Sequence, residues 1–235
     1  MKKNASLNNP RLIIALDYAS QAEALVLAQQ LDPQLCRLKV GKELFVSAGP
    51  AVIDALHQLG FEIFLDLKFH DIPNTVAKAC QAAARLGVWM LSLHASGGRR
   101  MLQAAQEAVN QCEHVPLLVG VTVLTSFTAE ELTELGITRS LPEQVMHLAR
   151  LAKESGLSGL VCSVDEVINL KARFPEMMLV TPGIRLQDAS ADDQRRIATP
   201  CAAIEQGSDY LVIGRPVTQA KDPLMAIKTI INEMK

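Results

Sequence analysis

With 235 residues the chain can bury a full core, and α/β barrels of this length are often one domain. Hydrophobic residues at 49%, aromatic residues at 4% and a mean hydropathy of +0.17 exclude a disordered chain and suit a helix-rich enzyme packed with Ala, Leu and Val. A formal charge of −2, with no block of Lys or Arg, gives no electrostatic basis for binding nucleic acid or an anionic membrane, so any anion site must be local.

Residues 1–10 form a polar N-terminal extension with two lysines and without the apolar segment of a secretion signal. No apolar run approaches the ~20 residues of a membrane span, and a cytoplasmic location is expected. The cysteines, Cys36, Cys80, Cys112, Cys162 and Cys201, show neither C-x-x-C nor zinc-ligand spacing and read as reduced core residues. From residue 11 to 235 the pattern is that of a single domain. Short apolar runs at 11–17, 35–41, 62–69, 89–95, 116–125, 159–163, 178–183 and 210–214 predict strands. Between them, apolar residues at three- and four-residue spacing predict helices over 21–30, 49–59, 75–86, 99–110, 142–155 and 165–173.

Near-continuous apolar strands alternating with helices mean a parallel sheet covered by helices. Eight such units predict an α/β fold of one (β/α)8 TIM barrel with a parallel eight-stranded core. A doubly wound open sheet is the alternative, but no G-x-G-x-x-G follows the first run. In a barrel, binding and catalytic groups stand at the C-terminal strand ends. Here those ends carry Asp17, Lys39, Asp66 with Lys68, His94, Thr125, Ser163, Arg185 after Thr181-Pro182-Gly183-Ile184, and Gly214 with Arg215.

The third run is the most telling. Residues two apart in a strand share a face, so Phe64, Asp66 and Lys68 point one way and Ile63, Leu65, Leu67 and Phe69 the other. Asp71 follows where strand gives way to helix, since Pro73 suits a first helical turn. Lys39 sits within Leu38-Lys39-Val40-Gly41 and needs a carboxylate if buried, with Asp66 and Asp71 available. Asp17 reads either as a site residue or as a cap of the next helix, where Ser20 and Glu23 also qualify. His94 reads as a structural histidine or as part of the mouth. Gly214 and Arg215 stand where barrels place a phosphate, glycine allowing close backbone approach. The polar stretch from Arg185 to Thr199, which includes Gln194, reads as a lid over a phosphorylated ligand or as a helical excursion.

D-L-K-F-H-D-I-P-N-T at 66–75, with A-L-D at 15–17 and L-K-V-G-K-E at 38–43, closely resembles the orotidine 5′-phosphate decarboxylases of the bacterial type. The likeness continues through H-A-S-G-G at 94–98, V-T-V-L-T-S at 121–126, T-P-G-I-R at 181–185, D-Q-R-R-I at 193–197 and V-I-G-R-P at 212–216, and so spans about residues 11–218. The resemblance implies a carboxy-lyase that converts orotidine 5′-phosphate (OMP) to UMP and CO2 without metal or other cofactor. It implies that Lys39, Asp66, Lys68 and Asp71 form an alternating charged network, with Asp71 reaching into the site of a second copy in a homodimer. Asp17 and Lys39 would contact the ribose hydroxyls and the base region, and Thr75 the ribose across the interface. Thr125 would contact the pyrimidine, while Arg185, Gln194, Gly214 and Arg215 would hold the phosphate.

The chemistry explains such a set. Loss of CO2 from C6 leaves an sp² carbanion that no adjacent carbonyl delocalises, and a cationic Lys68 can stabilise it and then protonate it. Flanking carboxylates favour the ammonium form that this role needs. Asp66 would also face the substrate carboxylate, a repulsion of about 4 kcal/mol at 4 Å and an effective dielectric near 20, relieved as CO2 departs. Related barrel lyases that use Mg²⁺, a hexulose-phosphate synthase or a keto-gulonate-phosphate decarboxylase, share the D-x-K-x-x-D element, and Asp66 and Asp71 could then hold the metal. The continuation Ile72-Pro73-Asn74-Thr75 argues against them. A catalytically silent nucleotide-binding barrel is the remaining alternative, and the retention of all four charges argues against it.

Overall fold

The computed structural model describes residues 9–184 and 198–234. Eight strands, β1 (Leu12–Leu16), β2 (Arg37–Gly41), β3 (Ile63–Phe69), β4 (Met90–His94), β5 (Leu117–Val121), β6 (Gly159–Val161), β7 (Met178–Thr181) and β8 (Tyr210–Ile213), pair in sequence order. All pairings are parallel, and β1 closes on β8 through Leu12–Leu211, Ile13–Val212 and Ile14–Ile213. The expected (β/α)8 barrel is therefore present, and closure leaves no sheet edge.

Alternation along the strands divides the core in two. Ile13, Ala15, Phe64, Met90, Val119, Val121, Val161, Val180, Tyr210 and Val212 fill the barrel interior. Their neighbours, such as Leu12, Ile14, Leu16, Ile63 and Leu65, face the surrounding helices. The N-terminal end is plugged by Arg37, which stacks 4.0 Å from the Trp89 ring and pairs at 2.6 Å with Glu62. The Arg37 guanidinium also donates to Asn9 Oδ1 at 2.9 Å and to the Pro10 carbonyl. A guanidinium is affordable there because its donors are satisfied and its face lies on an aromatic ring. The interior is thus sealed at one end and open at the C-terminal end.

The helices follow the expected spans at Gln21–Ala28, Pro73–Arg85, Arg99–Asn110, Leu141–Glu154 and Val164–Arg173. The expected helix over 49–59 is Ala51–Gln58, preceded by a separate helix, Lys42–Ala48; Gly49 at φ +66° turns the chain between them. The fifth strand stops at Val121, four residues short of its expected end, because its partner β6 is only three residues long and their ladder closes at Val121–Val161. Thr125 therefore lies in the turn beyond β5 rather than on the strand. Three cysteines, Cys36, Cys80 and Cys162, are buried, whereas Cys112 is half-buried and Cys201 is exposed, so the expectation of five core cysteines holds only in part.

Candidate active site

A cavity of about 370 Å³ opens at the C-terminal mouth. Its walls include Asp17, Lys39, Asp66, Lys68, Thr125, Gly214 and Arg215 from the predicted set. Ala15, Phe64, Val121, Val161 and Val212 form an apolar floor and wall continuous with the barrel interior. A polar ligand entering this space would meet Asp17, Lys39, Asp66 and Lys68 on the β1–β3 side, and on the β5–β8 side apolar residues with Thr125, Ser126 and Arg215 set above them.

The charged side is one connected chain. Lys68 Nζ lies 2.6 Å from Asp66 Oδ2, Lys39 Nζ lies 3.8 Å from the same oxygen, and Lys39 Nζ also lies 3.1 Å from Asp17 Oδ1. Asp66 and Lys39 are buried, while the Asp17 side chain is 66% exposed at the mouth. Burial alone would raise the Asp66 pKa, but the charges of Lys39 and Lys68 and hydrogen bonds from Lys68 and Ser92 outweigh it, and the carboxyl is held below its ordinary value. Asp66 is a buried anion fixed between two cations. The partner that satisfies Lys39 most closely is Asp17, not Asp71. Asp17 does not cap the next helix either: Ser20 does, accepting from Glu23 N.

Local backbone geometry sets Lys68 apart. Among the described residues it is the only non-glycine with positive φ, at +52°. That conformation is strained for a residue with a Cβ, by roughly 1–3 kcal/mol, and persists only where its surroundings over-determine it. The cause is visible in the register. β3 and β4 pair at Leu65–Leu91 and again at Phe69–Leu93, so Asp66, Leu67 and Lys68 lie opposite Ser92 alone. The bulge keeps Asp66 and Lys68 on the cavity side while β3 continues to pair beyond them.

The remaining expected residues fall elsewhere. Asp71 and Thr75 are exposed and do not line the cavity; Asp71 Oδ1 accepts from Ile72 N at 2.6 Å, at the corner before the helix Pro73–Arg85. The His94 ring packs on His70, with centroids 5.4 Å apart. Burial first, then the charges of His70, Lys42 and Lys68, push its pKa down to about 4, so it is neutral near pH 7. Arg185 and Gln194 lie outside the described residues, as does the expected lid. The segment that carries them is flanked by Ile184 and Ala198, which form an isolated parallel bridge.

Two contributors escaped the sequence reading. Ser126 joins Thr125 on the cavity wall. Ser92, fully buried, donates from Oγ to Asp66 Oδ1 at 2.8 Å. A serine two residues before His94, on the inward parity of an otherwise apolar Met-Leu-Ser-Leu-His strand, is the signal that would have found it.

The model of the orotidine 5′-phosphate decarboxylase / HUMPS family matches residues 10–230. The orotidine 5′-phosphate decarboxylase of Saccharophagus degradans is 56% identical over 230 residues, which cover 97% of each chain. The enzyme of that name from Laribacter hongkongensis is 58% identical over 93% of this chain and 90% of its own. Among solved structures, orotidine 5′-phosphate decarboxylase from Lactobacillus acidophilus superposes with a TM-score of 0.87 at 39% identity, covering 97% of this chain and all of that one. Fold and sequence agree over nearly the whole length, and the chain belongs to the orotidine 5′-phosphate decarboxylase / HUMPS family.

Proposed function

We propose that the protein is an orotidine 5′-phosphate decarboxylase, a carboxy-lyase that forms UMP and CO2 in pyrimidine biosynthesis with neither metal nor organic cofactor. The observation that carries this reading is the Lys68 ammonium, held 2.6 Å from a buried carboxylate at the wall of a cavity whose floor is formed by apolar side chains of the barrel interior. Family membership and the names of relatives more than 50% identical over most of the chain supply the substrate.

In this reading the C6–carboxylate bond breaks heterolytically, CO2 leaves, and the electron pair stays on C6. Lys68 Nζ stabilises that pair and then transfers a proton to C6, so that the amine recovers its proton from solvent. Asp66 fixes the ammonium and places a negative charge beside the departing carboxylate. Preorganised stabilisation of the carbanion is the larger contribution, because Lys68 already has its geometry before substrate arrives. Asp17 and Lys39 bind the ribose hydroxyls and base region, Thr125 the pyrimidine, and Gly214 and Arg215 the phosphate together with Arg185 and Gln194. Binding energy collected at the phosphate, remote from C6, is then available to lower the barrier.

The Mg²⁺-dependent alternatives fit the donor geometry poorly. Asp66 has Oδ1 engaged by Ser92 and Oδ2 by Lys68, and Asp71 turns to Ile72 N instead of converging with it. Asp71 and Thr75 are assigned to the neighbouring site of a homodimer. Their exposure beside Ile72, itself 66% exposed, supports an interface at that corner. A reducing cytoplasmic setting accords with five free cysteines.

The test follows loss of OMP absorbance after EDTA treatment, in wild type and Lys68→Ala. Turnover that resists EDTA and falls by at least about 10³-fold in the variant is expected, the combined loss of a general acid and a charge stabiliser. No turnover, a requirement for Mg²⁺, or an active Lys68→Ala would overturn the assignment.

A further inference from the structure

We infer that Ser92 is a positioning residue for the decarboxylation, its one hydroxyl setting both the Asp66 carboxylate and the left-handed backbone of Lys68. The inference rests on the proposed role of Lys68 and deepens it.

The argument begins with an accounting of hydrogen bonds. Where Asp66, Leu67 and Lys68 lie opposite a single residue of β4, the regular ladder lapses and a buried N–H needs another acceptor. Lys68 N finds it in Ser92 Oγ, at 2.9 Å. The same oxygen donates its one proton to Asp66 Oδ1, at 2.8 Å. A hydroxyl offers one donor and two acceptor lone pairs, so Ser92 serves both groups without conflict.

Each bond acts on a different part of the catalytic pair. The first holds the main chain of Lys68 at φ +52°, which aims its side chain into the cavity. The second fixes the rotation of the Asp66 carboxylate, so that Oδ2 is the oxygen presented to Lys68 Nζ at 2.6 Å and to Lys39 Nζ at 3.8 Å. Backbone and side chain of the proton donor are thereby tied to one atom. Ser92 is fully buried and absent from the cavity wall, so it acts through Asp66 and Lys68 and not on substrate.

Removing the hydroxyl should therefore disturb the reaction step more than binding. The ribose, pyrimidine and phosphate contacts assigned to Asp17, Thr125, Gly214 and Arg215 involve neither bond. The experiment compares wild type, Ser92→Ala and Ser92→Thr for kcat and KM on OMP, for inhibition by UMP, and for thermal melting. We expect Ser92→Ala to lose at least 10-fold in kcat while UMP inhibition changes less than threefold, and Ser92→Thr, which keeps the hydroxyl, to recover most of the loss. If Ser92→Ala keeps kcat within threefold of wild type, the positioning role is wrong. If kcat and UMP affinity fall together in Ser92→Ala and melting drops without rescue by threonine, Ser92 is only a packing residue and the inference is overturned. A wild-type protein that does not turn over OMP would instead overturn the reading of function on which it stands.

Discussion

His94 does not behave as an ordinary histidine. It stands at the inward-facing end of β4 among His70, Lys42, Lys68 and Asp66, and burial together with the cations leaves its ring neutral down to about pH 4. The unfolded chain takes up a proton on this residue near the ordinary histidine value of 6.5, so between about pH 4 and 6.5 the unfolded state binds more protons than the folded one. Stability must then rise with pH across that window. Each pKa unit corresponds to about 1.4 kcal/mol, and water at the half-buried ring reduces the full effect to about 1–2 kcal/mol. Asp66 acts in the same sense at lower pH: its depressed pKa contributes stability that is complete above the ordinary carboxylate value and is lost only as the pH falls below it. Urea unfolding at intervals from pH 4.5 to 7 should show the slope in wild type and a smaller one in His94→Gln, the remainder including His57, which burial also holds below its ordinary value. Equal slopes in the two proteins would assign the dependence to other groups.

At the scale of the element, the end of β2 and the β3 bulge decide how the charges meet. Gly41 follows Lys39 by two residues and shares its face, and a Cβ built on it would stand 3.3 Å from Lys39 Nζ and 3.5 Å from Asp17 Oδ1. Its φ of −91° is open to any residue, so what the glycine supplies here is space beside the Lys39 ammonium and not backbone freedom. Gly41→Ala should fold and melt within a few degrees of wild type, yet lose about tenfold in kcat/KM, close to 1.4 kcal/mol, by displacing Lys39. Gly41→Val should lose more. Unchanged kcat/KM in both variants would show that the Lys39–Asp17 pair has room to spare. The strands themselves were legible because a buried parallel strand must be apolar on both faces, and Asp66 and Lys68 were legible because nothing in packing calls for them there. The end of β5 was misjudged because Val121, Thr122 and Val123 keep a strand-like alternation after β6 has run out of residues to pair with. The helix Lys42–Ala48 was not legible, since two turns with Leu44 as its one buried residue carry no period. Nor was the left-handed Lys68: positive φ normally announces itself as Gly or Asn, and here it is imposed by a register change and by Ser92 from the next strand.

For the molecule as a whole, the question is which expected groups the barrel does not bring into its own cavity. Asp17, Lys39, Asp66, Lys68, Thr125, Gly214 and Arg215 converge within one chain, whereas Asp71 and Thr75 are exposed and do not line the cavity. If those two serve the neighbouring site, each active site is a composite, and defects in Lys68 and Asp71 lie in different chains. Lys68→Ala and Asp71→Asn proteins would each be nearly inactive alone. Mixed after partial unfolding and refolding, they would form twofold dimers in which one site combines Lys68 of one chain with Asp71 of the other. With random exchange, half of the dimers are mixed and each has one intact site of two, so activity should return to about a quarter of the wild-type value. A mixture that stays inactive, while size measurement shows dimers and exchange of subunits, would place Asp71 in the service of its own chain or of none. Recovery would show that the cavity described in one chain is chemically incomplete and that association is a condition of catalysis, linking the exposed Ile72 corner to the buried Asp66–Lys68 pair.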